Sequence, residues 1–204
     1  MNSPTTTALL SLDKVDVQRG DFVLCQNICL SLFAGDVCHL IGENGLGKTT
    51  LLNQVAGLLP TQTGTVTTDG APVYISHQLG ISKELTVAQN LRFLLSLYGA
   101  NSDDDTLDTA LRAVGLYGLG DTSSAQLSAG QTRRIGLARL FVLTTAHSKL
   151  WLLDEPLTAL DVAMVNAIEQ RIQDFAQAGG AVLTTSHQAL KGSNKQLDLA
   201  EFAL

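Results

Sequence analysis

Apolar residues near the N-terminus follow the two-residue period of β-strands. Residues 10–17 alternate between apolar and polar side chains, and residues 22–32 are mostly apolar or small, so two strands are predicted. Residues 37–41 form a continuous apolar run that is typical of a buried strand. A short apolar helix is predicted directly afterwards, over residues 51–56.

The middle of the chain changes to the helical period. Thr86 and Gln89 form a capping-box pattern, and apolar residues then recur at helical spacing. Three aspartates at 103–105 open a second amphipathic helix, where they suit the positive end of the helix dipole. A third helix is predicted from 128 to about 146. Together these helices predict a helical subdomain at about residues 79–145, inserted into an α/β core.

The last third alternates strands with a helix. Residues 150–155 and 181–186 have the pattern of buried strands, and a helix is predicted between them over residues 161–178. Strands that alternate with helices favour a mostly parallel sheet, which binds its ligand at the carboxyl ends of the strands. The predicted fold is therefore a single α/β domain over residues 1–204.

Composition narrows the possible partners. The 204 residues carry a formal net charge of −6 and no basic block, which argues against a nucleic-acid surface. The N-terminus lacks the basic start and apolar core of a signal peptide, and no apolar run approaches the roughly 20 residues needed to cross a bilayer. We therefore expect an intracellular chain that reaches a membrane only through partners.

The segment between the third strand and the first helix fits the phosphate-loop pattern. Its glycines allow successive N–H groups to point at a phosphate chain, in front of a helix N-terminus. Lys48 would reach the β- and γ-phosphates, and the Thr49 hydroxyl would bind Mg²⁺. The candidate binding residues are Gly42, Glu43, Asn44, Gly45, Leu46, Gly47, Lys48, Thr49 and Thr50. The sequence predicts a site for a nucleoside triphosphate, ATP, with Mg²⁺.

Two further segments extend this prediction. Asp154 and Glu155 end an apolar strand, where an Asp can hold Mg²⁺ and a Glu can polarise the attacking water. Ser128 and Gln131 form a capping-box pattern, which by itself explains their spacing. The same small residues, with Gly130, could also present N–H groups and a hydroxyl to an anion.

In this order the motifs resemble those of the ATPase subunits of ATP-binding-cassette (ABC) transporters. The match covers nearly the whole chain and departs from the usual signature at Ala129, which replaces a glycine. The matching segments are 42–50 (Walker A), Gln78 (Q-loop), 127–131 (signature), 150–155 (Walker B), 159–161 (D-loop) and His187 (switch histidine).

The resemblance implies an ABC-type phosphate-loop ATPase with an N-terminal antiparallel β region. Two copies would pack head to tail, so that Ser128 and Gly130 of one copy cover the ATP of the other. Thr49, Gln78 and Asp154 would hold Mg²⁺ and order the water. Glu155 would be the general base, with His187 and Gln78 completing the catalytic set. Arg19 stands where the family usually has an adenine-stacking aromatic residue, and either it or Phe22 would contact the base.

Finer details resemble the ATPases of cytochrome c biogenesis, notably residues 76–81, 127–140 and 184–188. This resemblance implies a peripheral subunit at the cytoplasmic face of the bacterial inner membrane, bound to CcmB-like and CcmC-like membrane proteins. Its ATP hydrolysis would drive haem export or release of a haem-loaded chaperone. The segment after Gln78 would lie near the membrane partner. The alternative is an ATPase subunit of another small-molecule ABC exporter.

Overall fold

Two sheets and five α-helices organise residues 7–188 and 190–204, which the computed structural model describes. The N-terminal residues 1–6, considered above for a signal peptide, lie outside them. The strands are β1 (Leu10–Arg19), β2 (Phe22–Leu32), β3 (Val37–Ile41), β4 (Thr65–Thr68), β5 (Val73–Ile75), β6 (Leu150–Leu153), β7 (Ala181–Thr185) and β8 (Lys195–Asp198). The helices are α1 (Lys48–Val55), α2 (Val87–Ser96), α3 (Asp104–Ala113), α4 (Ala129–Ala138) and α5 (Val162–Gln177).

The larger sheet is parallel, with strand order β5-β6-β7-β3-β8. Every residue of β6 and β7 is buried, which explains why both strands are continuous apolar or small runs. The smaller sheet, with order β2-β1-β4, is antiparallel. The predicted α/β class, with a parallel core sheet and an N-terminal antiparallel region, is confirmed.

Helices α2, α3 and α4 lie between β5 and β6 in the chain, within the predicted insertion. They share one apolar core, to which Leu91, Leu111 and Ile135 contribute fully buried side chains. The capping box at the start of α2 forms as the sequence predicts, with Thr86 and Gln89 bonded reciprocally. The same core includes Val73, Trp151 and Val182 of the parallel sheet, so the three helices pack against the sheet.

Helix α4 is shorter than the sequence predicted. It ends at Ala138 and continues as a 3-10 turn over Arg139–Phe141, whereas the apolar pattern indicated a helix to about residue 146. Beyond it, the Thr144 N–H donates to His147 Nδ1 at 3.1 Å and the His147 N–H donates to the Thr144 carbonyl at 3.0 Å. These local bonds pair the backbone groups of Thr144 and the N–H of His147 without a helix. The apolar residues of this segment therefore keep helical spacing although the backbone forms a turn.

Strand β8 was not anticipated from the sequence. It pairs parallel with β3 at the edge of the core sheet, and only Leu197 of its four residues is buried. A polar strand of four residues carries little periodic signal, because its partner is more than 150 residues away. Among the described residues, no helix combines the length and the apolarity that crossing a bilayer requires.

Candidate nucleotide site

The candidate site lies where β3, β6 and β7 end at the same edge of the parallel sheet. The loop after β3 carries the phosphate-loop glycines, β6 leads into Asp154 and Glu155, and β7 leads into His187. A cleft of about 370 Å³ opens at this edge. It is lined by Arg19, Leu24, Asn44, Gly45, Gly47, Lys48, Thr49, Thr50, Asp154 and Glu155. Ligand sites at this edge are the rule for parallel α/β sheets.

The phosphate loop depends on glycine at Gly47. Its φ is 98°, in the left-handed region, and a Cβ there would lie 2.5 Å from Cγ1 of Val17. This residue leads directly into α1, so the first N–H groups of the helix face the cleft. Lys48 Nζ donates to the carbonyl oxygens of Gly42 at 2.6 Å and Glu43 at 3.1 Å, which places its charge inside the loop.

Asp154 is the buried acid of the site, with only 3% of its surface exposed. Thr49 Oγ1 donates to one of its oxygens at 2.8 Å, and Thr185 Oγ1 donates to the other at 2.9 Å. A hydroxyl and a carboxylate at this spacing fit the oxygen ligands that Mg²⁺ prefers, alongside phosphate oxygens. The oxygen donors of Thr49 and Asp154 therefore fit a Mg²⁺ ion, which remains a prediction.

Glu155 is held by four polar contacts, each with a different residue. Its N–H donates to Thr185 Oγ1 at 2.8 Å, while its carbonyl accepts from Arg133 Nη2. Thr158 Oγ1 donates to Oε2 at 3.0 Å, and His187 Nε2 lies 2.8 Å from Oε1. The backbone is left-handed, with φ 52°, which is uncommon for a residue other than glycine. The carboxylate is thus fixed at the cleft beside an imidazole.

Three predicted site residues, Gln78, Ser128 and Gly130, lie outside the phosphate cleft in this structure. Gln78 is exposed and lines a neighbouring groove, and the residue beside it approaches the acid instead, since His77 Nδ1 is 3.8 Å from Asp154 Oδ2. Ser128 begins α4 as its N-cap, bonded reciprocally with Gln131, and is exposed to solvent. Neither Ser128 nor Gly130 lines the phosphate cleft of its own chain.

The structure separates the two candidates for contact with the base. Arg19 and Leu24 line the cleft, whereas Phe22 is 77% exposed and does not line it. The lining of the cleft therefore favours Arg19 over Phe22 as the predicted contact of the base.

Sequence reasoning missed three residues that contact Asp154 or Glu155. Thr185 ends β7 and Thr158 follows Glu155 by three residues, so both could have been found by inspecting the carboxyl ends of the strands. Arg133 is on helix α4, twenty-two residues away in sequence. No local pattern indicates its contact with Glu155, because the contact depends on how α4 packs.

Comparison with known proteins shows which family the chain resembles. The model of the ABC transporter family matches residues 25–158. A cytochrome c biogenesis ATP-binding export protein CcmA from Vibrio cholerae is 37% identical over 201 residues, covering 93% of this chain and 96% of the relative. The protein of the same name from Rhodobacter capsulatus is 39% identical over 196 residues, covering 95% and 88%.

Solved structures agree on the fold. A putative ABC transporter ATP-binding protein from Pyrococcus furiosus superposes with a TM-score of 0.82 at 23% identity, covering 96% of this chain and 99% of its own. An ATP-binding cassette solved as a dimer with ADP and phosphate gives 0.78 at 21% identity, covering 93% and 94%.

The chain belongs to the ABC transporter family. Within that family the relatives described above carry the name CcmA, and their similarity extends over nearly the whole chain. The predicted ABC-type ATPase, and its resemblance to the ATPases of cytochrome c biogenesis, are thus confirmed.

Proposed function

We propose that the chain is the ATP-hydrolysing subunit of an inner-membrane ABC complex for c-type cytochrome biogenesis. In this role its ATPase activity is coupled to haem export or to the release of a haem-loaded chaperone. The observation that carries the proposal is the pairing of Glu155 with His187, at 2.8 Å, beside a complete phosphate loop. The similarity to CcmA relatives over nearly the full length supports the biological process.

Each side chain has a separate part in hydrolysis. Lys48 and the N–H groups of the phosphate loop bind the β- and γ-phosphates, and Arg19 stacks on adenine. Thr49 and Asp154 would hold Mg²⁺, which would neutralise phosphate charge. Glu155 takes the proton of the attacking water, and His187 keeps this carboxylate oriented toward the γ-phosphate. Gln78 lines the neighbouring groove, so its proposed part in holding Mg²⁺ would require its loop to move into the site.

The placement of the signature residues supports a head-to-tail dimer. Ser128 and the N-terminus of α4 face solvent and do not line the chain's own cleft. In a symmetric pair, this helix end supplies the ATP site of the other copy with N–H groups and a hydroxyl. The dimer then contains two sites, each built from both copies.

A groove beside the site supports docking of a membrane subunit. It measures about 340 Å³, and it is lined by Phe93 on α2 and by Leu97 directly after α2, which are 53% and 58% exposed. Two buried donors in its lining, Tyr74 Oη and Arg139 Nε, have no hydrogen-bond partner within residues 7–188 and 190–204. A helical segment from the cytoplasmic side of the CcmB-like subunit, with apolar residues around one acceptor group, fits such a groove. The chain would therefore be peripheral, at the cytoplasmic face.

Haem staining of c-type cytochromes tests the proposal in cells whose only copy carries Glu155→Gln. The substitution removes the general base and keeps the size of the side chain, so ATP should still bind. We expect covalent haem on c-type cytochromes to disappear while b-type cytochromes remain.

The matched control is Glu201→Gln. Glu201 is an exposed acid that does not line the cleft, so this substitution should leave both cytochrome types normal. Normal c-type cytochromes in cells with the Glu155→Gln protein, once its ATPase activity is shown to be lost, would contradict the proposed process. They would favour another small-molecule exporter.

A further inference from the structure

Arg133 connects helix α4 to the backbone of the general base. Its Nη2 donates to the Glu155 carbonyl, and the Glu155 N–H is held from the opposite side by Thr185 Oγ1 at 2.8 Å. The two backbone groups of Glu155 are therefore both fixed. Its N–H is held by the parallel sheet, and its carbonyl is held by α4, the helix whose N-cap is Ser128. A left-handed residue such as Glu155 keeps its conformation only where its surroundings determine it.

The environment of Arg133 differs from that of a purely structural arginine. Arg171, also partly buried, donates from both Nε and Nη2 to the carbonyls of Leu140 and Leu143, at 2.7 Å each. Arg133 Nε is buried and has no partner among the described residues. Burying a guanidinium with unpaired donors costs stability, so packing alone does not explain its position.

The charge of Arg133 also relates it to the site. Burial lowers the pKa of its guanidinium, and the carboxylates of Glu155 and Asp154 act in the opposite direction. The side chain lies within a few ångströms of the acids that the reaction uses, yet it approaches them through a backbone carbonyl rather than through their oxygens.

We propose that Arg133 is a positioning residue. It makes the orientation of the Glu155 carboxylate depend on the position of α4. The inference rests on the proposed ATP hydrolysis. The N-terminus of α4 is the part expected to bind the nucleotide of the second copy, five residues before Arg133. If this helix shifts when it binds the nucleotide, Arg133 would transmit the shift to Glu155, because its guanidinium is bonded to the Glu155 carbonyl. The two ATP sites of a dimer are thereby linked, because the helix that closes one site adjusts the base of the other.

The test is a double-mutant cycle on ATP hydrolysis by the purified full-length chain. Arg133→Gln should lower kcat about tenfold or more and change KM for ATP less than about threefold, since misplaced catalytic groups lose rate rather than ground-state binding. In the Glu155→Gln background, Arg133→Gln should add no further loss of kcat, because the group that it positions is already absent. Arg133→Lys, which keeps one donor, should recover part of the rate.

Arg134→Gln is the matched control. Arg134 is the next residue on α4 and also connects this helix to the core, through the Asp161 carboxylate and the Val114 carbonyl, without contacting Glu155. Its loss should be additive with Glu155→Gln. Two results would overturn the inference: equal losses of kcat in Arg133→Gln and Arg134→Gln, or additivity of Arg133→Gln with Glu155→Gln. Either would mean that Arg133 only attaches α4 to the core. Absence of hydrolysis by the wild-type chain would instead count against the proposed function.

Discussion

At the scale of single residues, one hydroxyl joins the two acids of the site. Thr185 Oγ1 donates to Asp154 Oδ1 and accepts from the Glu155 N–H, and the residue is fully buried. The hydroxyl therefore donates one hydrogen bond and accepts another, and its two partners have different proposed roles. Asp154, the proposed metal ligand, and Glu155, the proposed general base, keep a fixed relative position because both bond to this oxygen.

Thr185→Val should damage both the fold and the rate. The substitution keeps the shape and leaves a buried carboxylate oxygen and a buried N–H without partners, which costs about 1–3 kcal/mol in the free energy of unfolding. Urea unfolding and steady-state ATP hydrolysis measure the two effects. Thr184→Val is the matched control, since Thr184 is equally buried and its hydroxyl donates only to a backbone carbonyl, at 3.3 Å. Equal effects of the two substitutions would show that Thr185 has no special role.

Arg19 should contribute to nucleotide affinity. Arg19→Ala removes a guanidinium that lines the cleft and is proposed to stack on the base, so a fluorescent ATP analogue should bind about fivefold more weakly, within the range of a cation–π contact. Phe22→Ala is the comparison, because Phe22 is nearby in sequence and does not line the cleft. Weaker binding in the Phe22 variant alone would assign the base contact to that ring.

Most of the phosphate cleft could be predicted from the sequence, because its residues lie in continuous segments. Lys48, Thr49, Asp154 and Glu155 follow directly from a loop pattern and an apolar strand. The contacts of Thr185 and Arg133 could not be predicted in this way, because they arise from the order of strands in the sheet and from the packing of α4. The position of Gln78 in a groove also depends on the path of a loop.

At the scale of elements, local capping signals were accurate. The starts of α2, α4 and α5 follow their side-chain caps, whereas the existence of β8 depends on β3, a partner strand that is distant in sequence. Helix α3 shows the same local control, since Asp103 Oδ1 accepts from the Thr106 N–H at 2.8 Å.

The cap of α3 should make stability depend on pH. Hydrogen bonds from the Thr106 side chain, the Asn101 side chain and the Thr106 N–H lower the pKa of Asp103 below its ordinary value. The ionised form therefore favours the folded state, and this contribution is present above the ordinary pKa of about 3.9 and is lost as the pH falls through the lowered value. Asp103→Asn should reduce Tm at pH 7, and the difference from wild type should narrow below about pH 4.

Asp108→Asn, on the same helix, provides the comparison for this cap. Asp108 is exposed and is not the cap residue, so its substitution should change Tm little at either pH. A constant difference between wild type and Asp103→Asn from pH 7 to pH 3 would mean that the charge of Asp103 does not stabilise α3.

At the scale of the whole molecule, the groove beside α2 should decide where the chain resides. Phe93→Glu places a carboxylate in the proposed interface, where desolvation costs several kcal/mol, so the fraction that sediments with membranes should fall at least about tenfold. Tyr117→Glu is the control, because Tyr117 is 59% exposed and lies outside the groove. Retention of Phe93→Glu on membranes, with Tyr117→Glu behaving alike, would place docking on another surface.

The outward position of Ser128 has a genetic consequence. Because each proposed site takes Ser128 from the other copy, a copy with a damaged Ser128 impairs the site of its intact neighbour. If half of the copies in a cell carry a substitution at Ser128, random pairing leaves roughly a quarter of the dimers wholly wild type. Alleles that damage this residue and preserve pairing should therefore be dominant-negative, whereas alleles that prevent folding should be recessive.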